Sequence, residues 1–342
     1  MNSSRPRTTG ILTRTRAAAL ALAAVTAAAV AAGCAAAPAA HSTAAGAHAT
    51  ALSPAAKART VSKSQAAATA AATCNPDASS LAPLGPPEVT PGSEMARIRA
   101  RGYLIAGVDQ STYHFGYLNP LDGQIEGFDI DMVRAVAQAI FGNPDKVEFK
   151  SISDAQRIPA LTTSGSGSVD IVAHTMTITC QRLTQVDFSS VYFDAHQRVL
   201  IPDNSTATNG LADLAGQKVC ATTGSDSVAT IDSYPVRPRI TAVPVQFWTD
   251  CLVLLQQDQV AAISTDDAIL YGLQAQDPFT KVVGPSLEDE PYGLAISKQY
   301  PDFVRFVNAV IAKYESDGDW EKSYKRWVNP AGATPPTPQY AS

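Results

Sequence analysis

Acidic residues are absent from the first 73 positions, and the whole chain carries only five cysteines and five histidines. No two cysteines form a C-x-x-C pair and no histidine stands beside one at ligand spacing, so no metal site is expected. Basic charge is scarce too. Against 31 Asp and Glu there are 26 Lys and Arg, a formal net charge of −5, which speaks against nucleic acid as a partner. Long runs of large apolar residues are also missing, and the stretch from Ala17 to Gly33 is built mainly of small alanines that make a poor membrane span.

What the amino terminus does contain is an export pattern. Arg5, Arg7, Arg14 and Arg16 precede the uncharged run, and Cys34 follows Ala-Ala-Gly. This looks like a bacterial lipoprotein signal over residues 1–33, cut before Cys34 so that the thiol takes a diacylglycerol. Two acyl chains are what stable anchoring to a membrane requires. An ordinary secretory signal and a retained helix are the alternatives. Residues 34–73, mostly Ala, Ser and Thr, cannot bury a core and read as a tether. Without residues 1–33 the chain has 22 basic and 31 acidic residues, net −9, and the tether's Lys57, Arg59 and Lys63 leave −12 on residues 74–342. An acidic body on a weakly basic stalk stands off an anionic membrane.

The remaining chain alternates strand and helix patterns twice over, an α/β signature that reads as two lobes. The first covers 95–199 and is completed by 291–328, with strands near 103–109, 147–152 and 169–174 and a helix from Phe128 to Phe141. The second covers 200–290, with strands near Lys218 to Thr222 and Ala261 to Thr265. Residues 74–94 form an arm ahead of the lobes, and the proline-rich 329–342 reads as a loose tail. The chain would cross between lobes near residues 200 and 290, and two such connections make a hinge.

Between Val169 and Tyr192 a β-branched run ends in Thr175, Thr177 and Thr179, followed by Arg182. A buried strand there delivers hydroxyls and free backbone groups at its carboxyl end, where open α/β sheets place ligands, and the planar fork of Arg182 suits a carboxylate. Each residue alone is equally readable as strand filler or solvated charge.

Together with the phrase Val186-Asp187-Phe188-Ser189-Ser190-Val191-Tyr192, this stretch resembles the polar amino acid group of extracytoplasmic solute-binding proteins. Other motifs follow in that family's order: YLIAGVD from Tyr103, GQIEGFDIDMVRAVAQAI from Gly123, RIPAL from Arg157, GQKVCATTGSDS from Gly216, AAISTDD from Ala261, PYGLAI from Pro291 and DGDWEKSYKRW from Asp317. The resemblance covers roughly residues 95 to 328. It implies the type II periplasmic binding fold, two αβ lobes joined by two hinge crossovers, acting as a monomer without cofactor.

The four cysteines beyond Cys34 allow three disulfide pairings in an exported protein. The resemblance favours Cys220 with Cys251, on a strand and helix of one lobe, which leaves Cys74 with Cys180. It also assigns ligand groups. Arg182 takes the α-carboxylate, helped by the Thr177 hydroxyl and by backbone N–H groups around Gly224 and Ser225, where a loop opens a helix. Asp226 departs from the family pattern and is expected to point away or to cap that helix. Asp266, ahead of its neighbour Asp267, takes the ammonium with the Thr175 carbonyl. Tyr113 and Phe115 are candidate aromatic walls, with core packing the alternative. Arg157 and His174 would read the ligand's side chain and favour glutamate or aspartate, with glutamine or asparagine next, unless Arg157 is spent on Asp154 three residues earlier.

The leading expectation is a lipid-anchored receptor handing a polar amino acid to the membrane subunits of an ABC importer. A receptor signalling to a membrane sensor uses the same closed lobes. An enzyme resembling dehydratases on this fold is the third reading, disfavoured because an ammonium partner keeps Asp266 ionised, no nucleophile dyad accompanies it, and no further domain is expected beyond residue 328.

Overall fold

A computed structural model describes residues 74–328 and 334–341. The signal, the tether and Cys34 lie outside the described residues.

Two sheets organise the molecule. The first runs in the order Val147–Ser151, Leu104–Val108, Ile171–Ala173, Ala295–Ser297, Val186–Phe188. Its first three strands are parallel, and Ala295–Ser297 is antiparallel to both neighbours. Leu104, Ala106, Ile171 and Ala173 are buried, as the apolar composition of parallel strands requires. Helix Phe128–Phe141 covers this sheet with Ile130, Val133, Val136, Ala137 and Ile140, and it ends at Gly142 in the left-handed region that a helix C-terminus favours (φ 69°). Pro301–Ser316 starts on a proline at its first turn and buries Phe303, Val304 and Val307 in the same core.

The second sheet runs Thr241–Val245, Lys218–Thr222, Ala262–Asp266, Phe193–Pro202, Thr280–Val283. Its core holds Val219, Ile263, Leu252, Leu255 and Leu270, separate from the first core. Inside it Cys220 and Cys251 form a disulfide (S–S 2.03 Å) between strand Lys218–Thr222 and helix Trp248–Gln256. The second disulfide joins Cys74 to Cys180 and holds the amino-terminal arm two residues from Arg182.

One ten-residue strand, Phe193–Pro202, carries the chain out of the first core and into the second: Phe193 and Ala195 pack in one, Val199 and Leu200 in the other. Residues 197–199 pair with Ala262–Asp266, so this part of the expected first lobe belongs to the second sheet. The return strand Asp289–Tyr292 pairs antiparallel with its start, Tyr292 opposite Phe193 and Glu290 opposite Ala195. The lobes are thus joined by one two-stranded ribbon, the geometry of a hinge.

The tail is not loose over residues 334–341. Ala341 N–H donates to the Ser80 carbonyl at 2.8 Å, and the Ser80 hydroxyl donates to the Phe188 carbonyl at 2.7 Å. Asn308 Nδ2 holds both the Ser80 hydroxyl and the Leu81 carbonyl. Proline fixes φ in advance, so ordering this segment costs less chain entropy than its length suggests.

Cys220 and Cys251 are 31 residues apart, and closing a loop of that size restricts the unfolded chain by about 3–4 kcal/mol. Replacing both with alanine is expected to lower the unfolding free energy in urea by that order; a loss under about 1 kcal/mol contradicts the assignment.

Candidate functional site

The seam between the lobes gathers the charged residues. On the first-lobe side the strand Ile171–Ala173 ends at His174, and Thr175 then takes a left-handed conformation (φ 42°), strained for a β-branched residue. Asp129, in the first turn of Phe128–Phe141, holds it there. Asp129 Oδ2 accepts from the Thr175 N–H at 2.7 Å and Oδ1 from the Tyr192 hydroxyl at 2.5 Å. Burial pushes the Asp129 carboxyl up, and those two donors pull it back. The next residues are tied to the returning hinge strand, since Ile178 N–H donates to the Pro291 carbonyl at 2.7 Å and Gly293 N–H to the Met176 carbonyl at 3.1 Å.

Arg182 follows in a short 3-10 turn, Arg182–Thr184, and is buried. Its Nη1 donates to the Thr177 carbonyl at 2.7 Å and to Asp226 Oδ2 at 3.1 Å, and Nη2 reaches the Gly224 carbonyl at 3.4 Å. Thr177 and Arg182 are brought together through the Thr177 carbonyl and not its hydroxyl, and the second lobe supplies a carbonyl at Gly224 where the sequence suggested N–H donors. Gly224 (φ 94°) approaches so closely that a Cβ would stand 2.6 Å from the Ala155 backbone; only glycine lets the lobes meet here. The Ser225 hydroxyl turns back to the Thr222 carbonyl at 2.8 Å.

Arg157 takes the alternative reading. Its Nη1 lies 2.9 Å from Asp154 Oδ1 and donates to the His174 carbonyl at 3.1 Å, Nε donates to the Asp154 carbonyl at 3.1 Å and Nη2 to the Gly224 carbonyl at 3.2 Å. Burial raises the Asp154 carboxyl, but Arg157, His174 and the Thr222 hydroxyl outweigh it and hold it below the usual carboxylate range. His174 is corrected as well: its Nε2 donates to the Ile152 carbonyl at 2.9 Å and it is 2% exposed, so the ring braces the first lobe.

On the second-lobe side Asp266 closes strand Ala262–Asp266, 3% exposed, accepting from the Tyr292 hydroxyl at 2.6 Å and from Thr265 Oγ1 at 3.2 Å. Asp267 is spent elsewhere, on the N–H groups of His196 (3.1 Å) and Ala268 (2.8 Å). Asp266, Thr175, Asp226 and Ser225 line a cavity of about 10 Å³, closed on one side by Trp248 and Ile269. A larger groove of about 630 Å³ lies outside the first lobe, where Lys313 and Asp317, and Lys322 and Asp319, pair on the surface.

Residues 104–330 match the family of bacterial extracellular solute-binding proteins, family 3. The chain belongs to that family. It is 35% identical over 234 residues to the ABC transporter glutamine-binding protein GlnH of Bacillus subtilis, covering 68% of this chain and 84% of that protein. It is also 35% identical to the glutamine-binding protein of Geobacillus stearothermophilus, covering 62% and 79%. The solved structure of an ancestral arginine-binding protein bound to arginine superposes with a TM-score of 0.61 at 32% identity, covering 67% of this chain and 99% of that one.

Within this solute-binding fold neither expected aromatic lines the cavity. Phe115 is fully buried in the turn between strands Ser111–Thr112 and Gly116–Leu118, edge-on to Phe128, Phe193 and Tyr292 within the first core. Tyr113 sits at the seam, its carbonyl against Gly272 and its ring against His114 and Tyr117. The aromatic wall is Trp248, 2% exposed, whose Nε1 has no partner among the described residues. Nothing in the local pattern separates it from a core tryptophan at the start of an amphipathic helix.

Glu290 was missed for the same reason. It lies on the hinge strand, 1% exposed, with Oε2 unpartnered among the described residues. Burial, then the charge of Asp266, push its carboxyl up to about 10, so it is neutral at pH 7. Burial, then Asp226, likewise push Asp266 up to about 7, against the Tyr292 hydroxyl.

Asp266 releases its proton near 3.8 when unfolded and near 7 when folded. The stability gained by its neutral form is therefore lost as pH rises between those values. Asp266→Asn should melt with the wild type at pH 4 but higher than it at pH 8, by about 3 °C or more. Equal melting temperatures at both pH values would contradict a buried, ionisable Asp266.

Proposed function

We propose that this family member binds one polar amino acid between its lobes, by closure of the hinge ribbon, and presents it to the membrane subunits of an ABC importer. The observation that carries the reading is the pair of buried opposite charges offered by the two lobes at one seam, Arg182 from the first and Asp266 from the second. A zwitterion taken out of water needs both ends paired, and these groups match its carboxylate and ammonium. Thr175 adds a buried hydroxyl with no partner among the described residues. Both ends also reach the hinge, through Thr177 bridging to Tyr292 and through the Tyr292 hydroxyl on Asp266, so that filling the site favours the closed lobes.

Within that class, charge balance favours an amide side chain. The guanidinium of Arg157 is matched by Asp154, and that of Arg182 is taken up by the ligand's α-carboxylate. Among the described residues no uncommitted cation lines the cavity for a second carboxylate, which moves glutamine and asparagine ahead of glutamate and aspartate, the reverse of the order drawn from sequence. The glutamine-binding relatives support the same order. The export pattern supports anchoring through a lipid on Cys34.

Calorimetric titration of the chain from residue 34, carrying Cys34→Ser, against the twenty amino acids tests this. Glutamine is expected to bind with Kd near or below about 1 µM, and Arg182→Ala to weaken it by at least about a hundredfold. Stronger binding of glutamate reverses the order of preference, and silence across the panel sinks the amino acid reading. Because the ammonium needs ionised Asp266, affinity should fall about tenfold per pH unit below about 7. In cells, Cys34→Ser should move the protein from the membrane to the soluble fraction; unchanged partitioning refutes the lipid anchor.

A further inference from the structure

Asp226 does neither of the things its position suggests. It holds the N-cap position of helix Ser227–Ser233, yet its side chain makes no capping hydrogen bond. Its Oδ2 stands instead 3.1 Å from Arg182 Nη1 across the seam. That guanidinium is already anchored by the Thr177 carbonyl at 2.7 Å, so Asp226 meets it as a free carboxylate would, through a charge-assisted hydrogen bond. Asp226 also lines the cavity of about 10 Å³ beside Asp266, a volume that takes about one water molecule and no amino acid.

We propose that Asp226 is an internal competitor for the ligand's α-carboxylate: it pairs with Arg182, holds the lobes together, and is displaced when the ligand binds. This rests on Arg182 being the carboxylate clamp of the proposed function. The asymmetry of burial makes the exchange feasible. The Arg182 side chain is 9% exposed and the Asp226 side chain 25%, so the guanidinium must always have a partner while the carboxylate can turn back to water. Exchanging one carboxylate for another gains little. The net gain must come from the rest of the ligand, first of all from its ammonium on Asp266. Asp226 thereby acts as a specificity residue, admitting zwitterions and rejecting plain carboxylic acids that cannot also engage Asp266.

The test uses the chain from residue 34 with Cys34→Ser, as wild type and with Asp226→Asn or Asp226→Ser, each checked for a cooperative melt. Small-angle scattering without ligand reads lobe opening. Titration with glutamine and with its deaminated analogue, 4-carbamoylbutanoate, reads the competition. Expected for both variants are a larger radius of gyration, glutamine affinity tighter by about tenfold, and binding of the analogue that the wild type rejects. Unchanged scattering with unchanged or weaker glutamine binding overturns the proposal, because Asp226 is then a bystander or a ligand contact. Silence of the wild type and both variants toward every amino acid removes the reading beneath it, and the proposal with it.

Discussion

A guanidinium enclosed between two lobes cannot be left without partners, because an unpaired buried charge costs several kcal/mol. Arg182 is such a group, and the geometry around it follows from that requirement. The first lobe offers the Thr177 carbonyl, exposed where its strand gives out. The second lobe offers the Gly224 carbonyl and the Asp226 carboxylate, and both reach only because residue 224 has no Cβ to meet the Ala155 backbone. The lobes thus meet at the place where that one charge is satisfied.

The hinge is wired into that meeting place. Tyr292 lies on the returning ribbon strand, where its hydroxyl holds Asp266 and its backbone bridges Thr177. Glu290, two residues earlier, places a neutral acid behind the same group. The ribbon is thus in contact with both Asp266 and the segment leading to Arg182, the two groups on which the proposed zwitterion binding rests. The Cys74–Cys180 disulfide and the ordered tail brace the arm against the first lobe on the chain leading to Arg182.

How much of this was legible in the sequence varied with the length scale of the cause. Helix Phe128–Phe141 and strand Lys218–Thr222 have the bounds read from their apolar patterns, because helix and strand periods are local properties. Motif order and strand alternation placed Arg182 near Thr177 and turned Asp266 rather than Asp267 toward the seam, which is where the Arg182 and Asp266 side chains lie. Phe115 and Arg157 took the alternatives the sequence had left open, and His174 was misread, for one shared reason. A buried aromatic, imidazole or guanidinium looks the same in sequence whether it faces a cavity or a neighbour, and here Phe193, the Ile152 carbonyl and Asp154 were the neighbours. Trp248, Glu290 and the Asp226 contact left no local signal.

By itself, the sequence determined the membership in a solute-binding family, the alternation that builds two lobes, the export pattern, and which residues carry charge of each sign near the seam. These depend on periodicity and on short motifs, which survive without knowledge of distant contacts. Only the tertiary structure decided which charges of the two lobes are spent on each other. The local pair Arg157 with Asp154 was one of two readings open in the sequence, but pairing across the seam joins residues more than forty positions apart at about 3 Å, as in Arg182 with Asp226, and no local pattern encodes that distance.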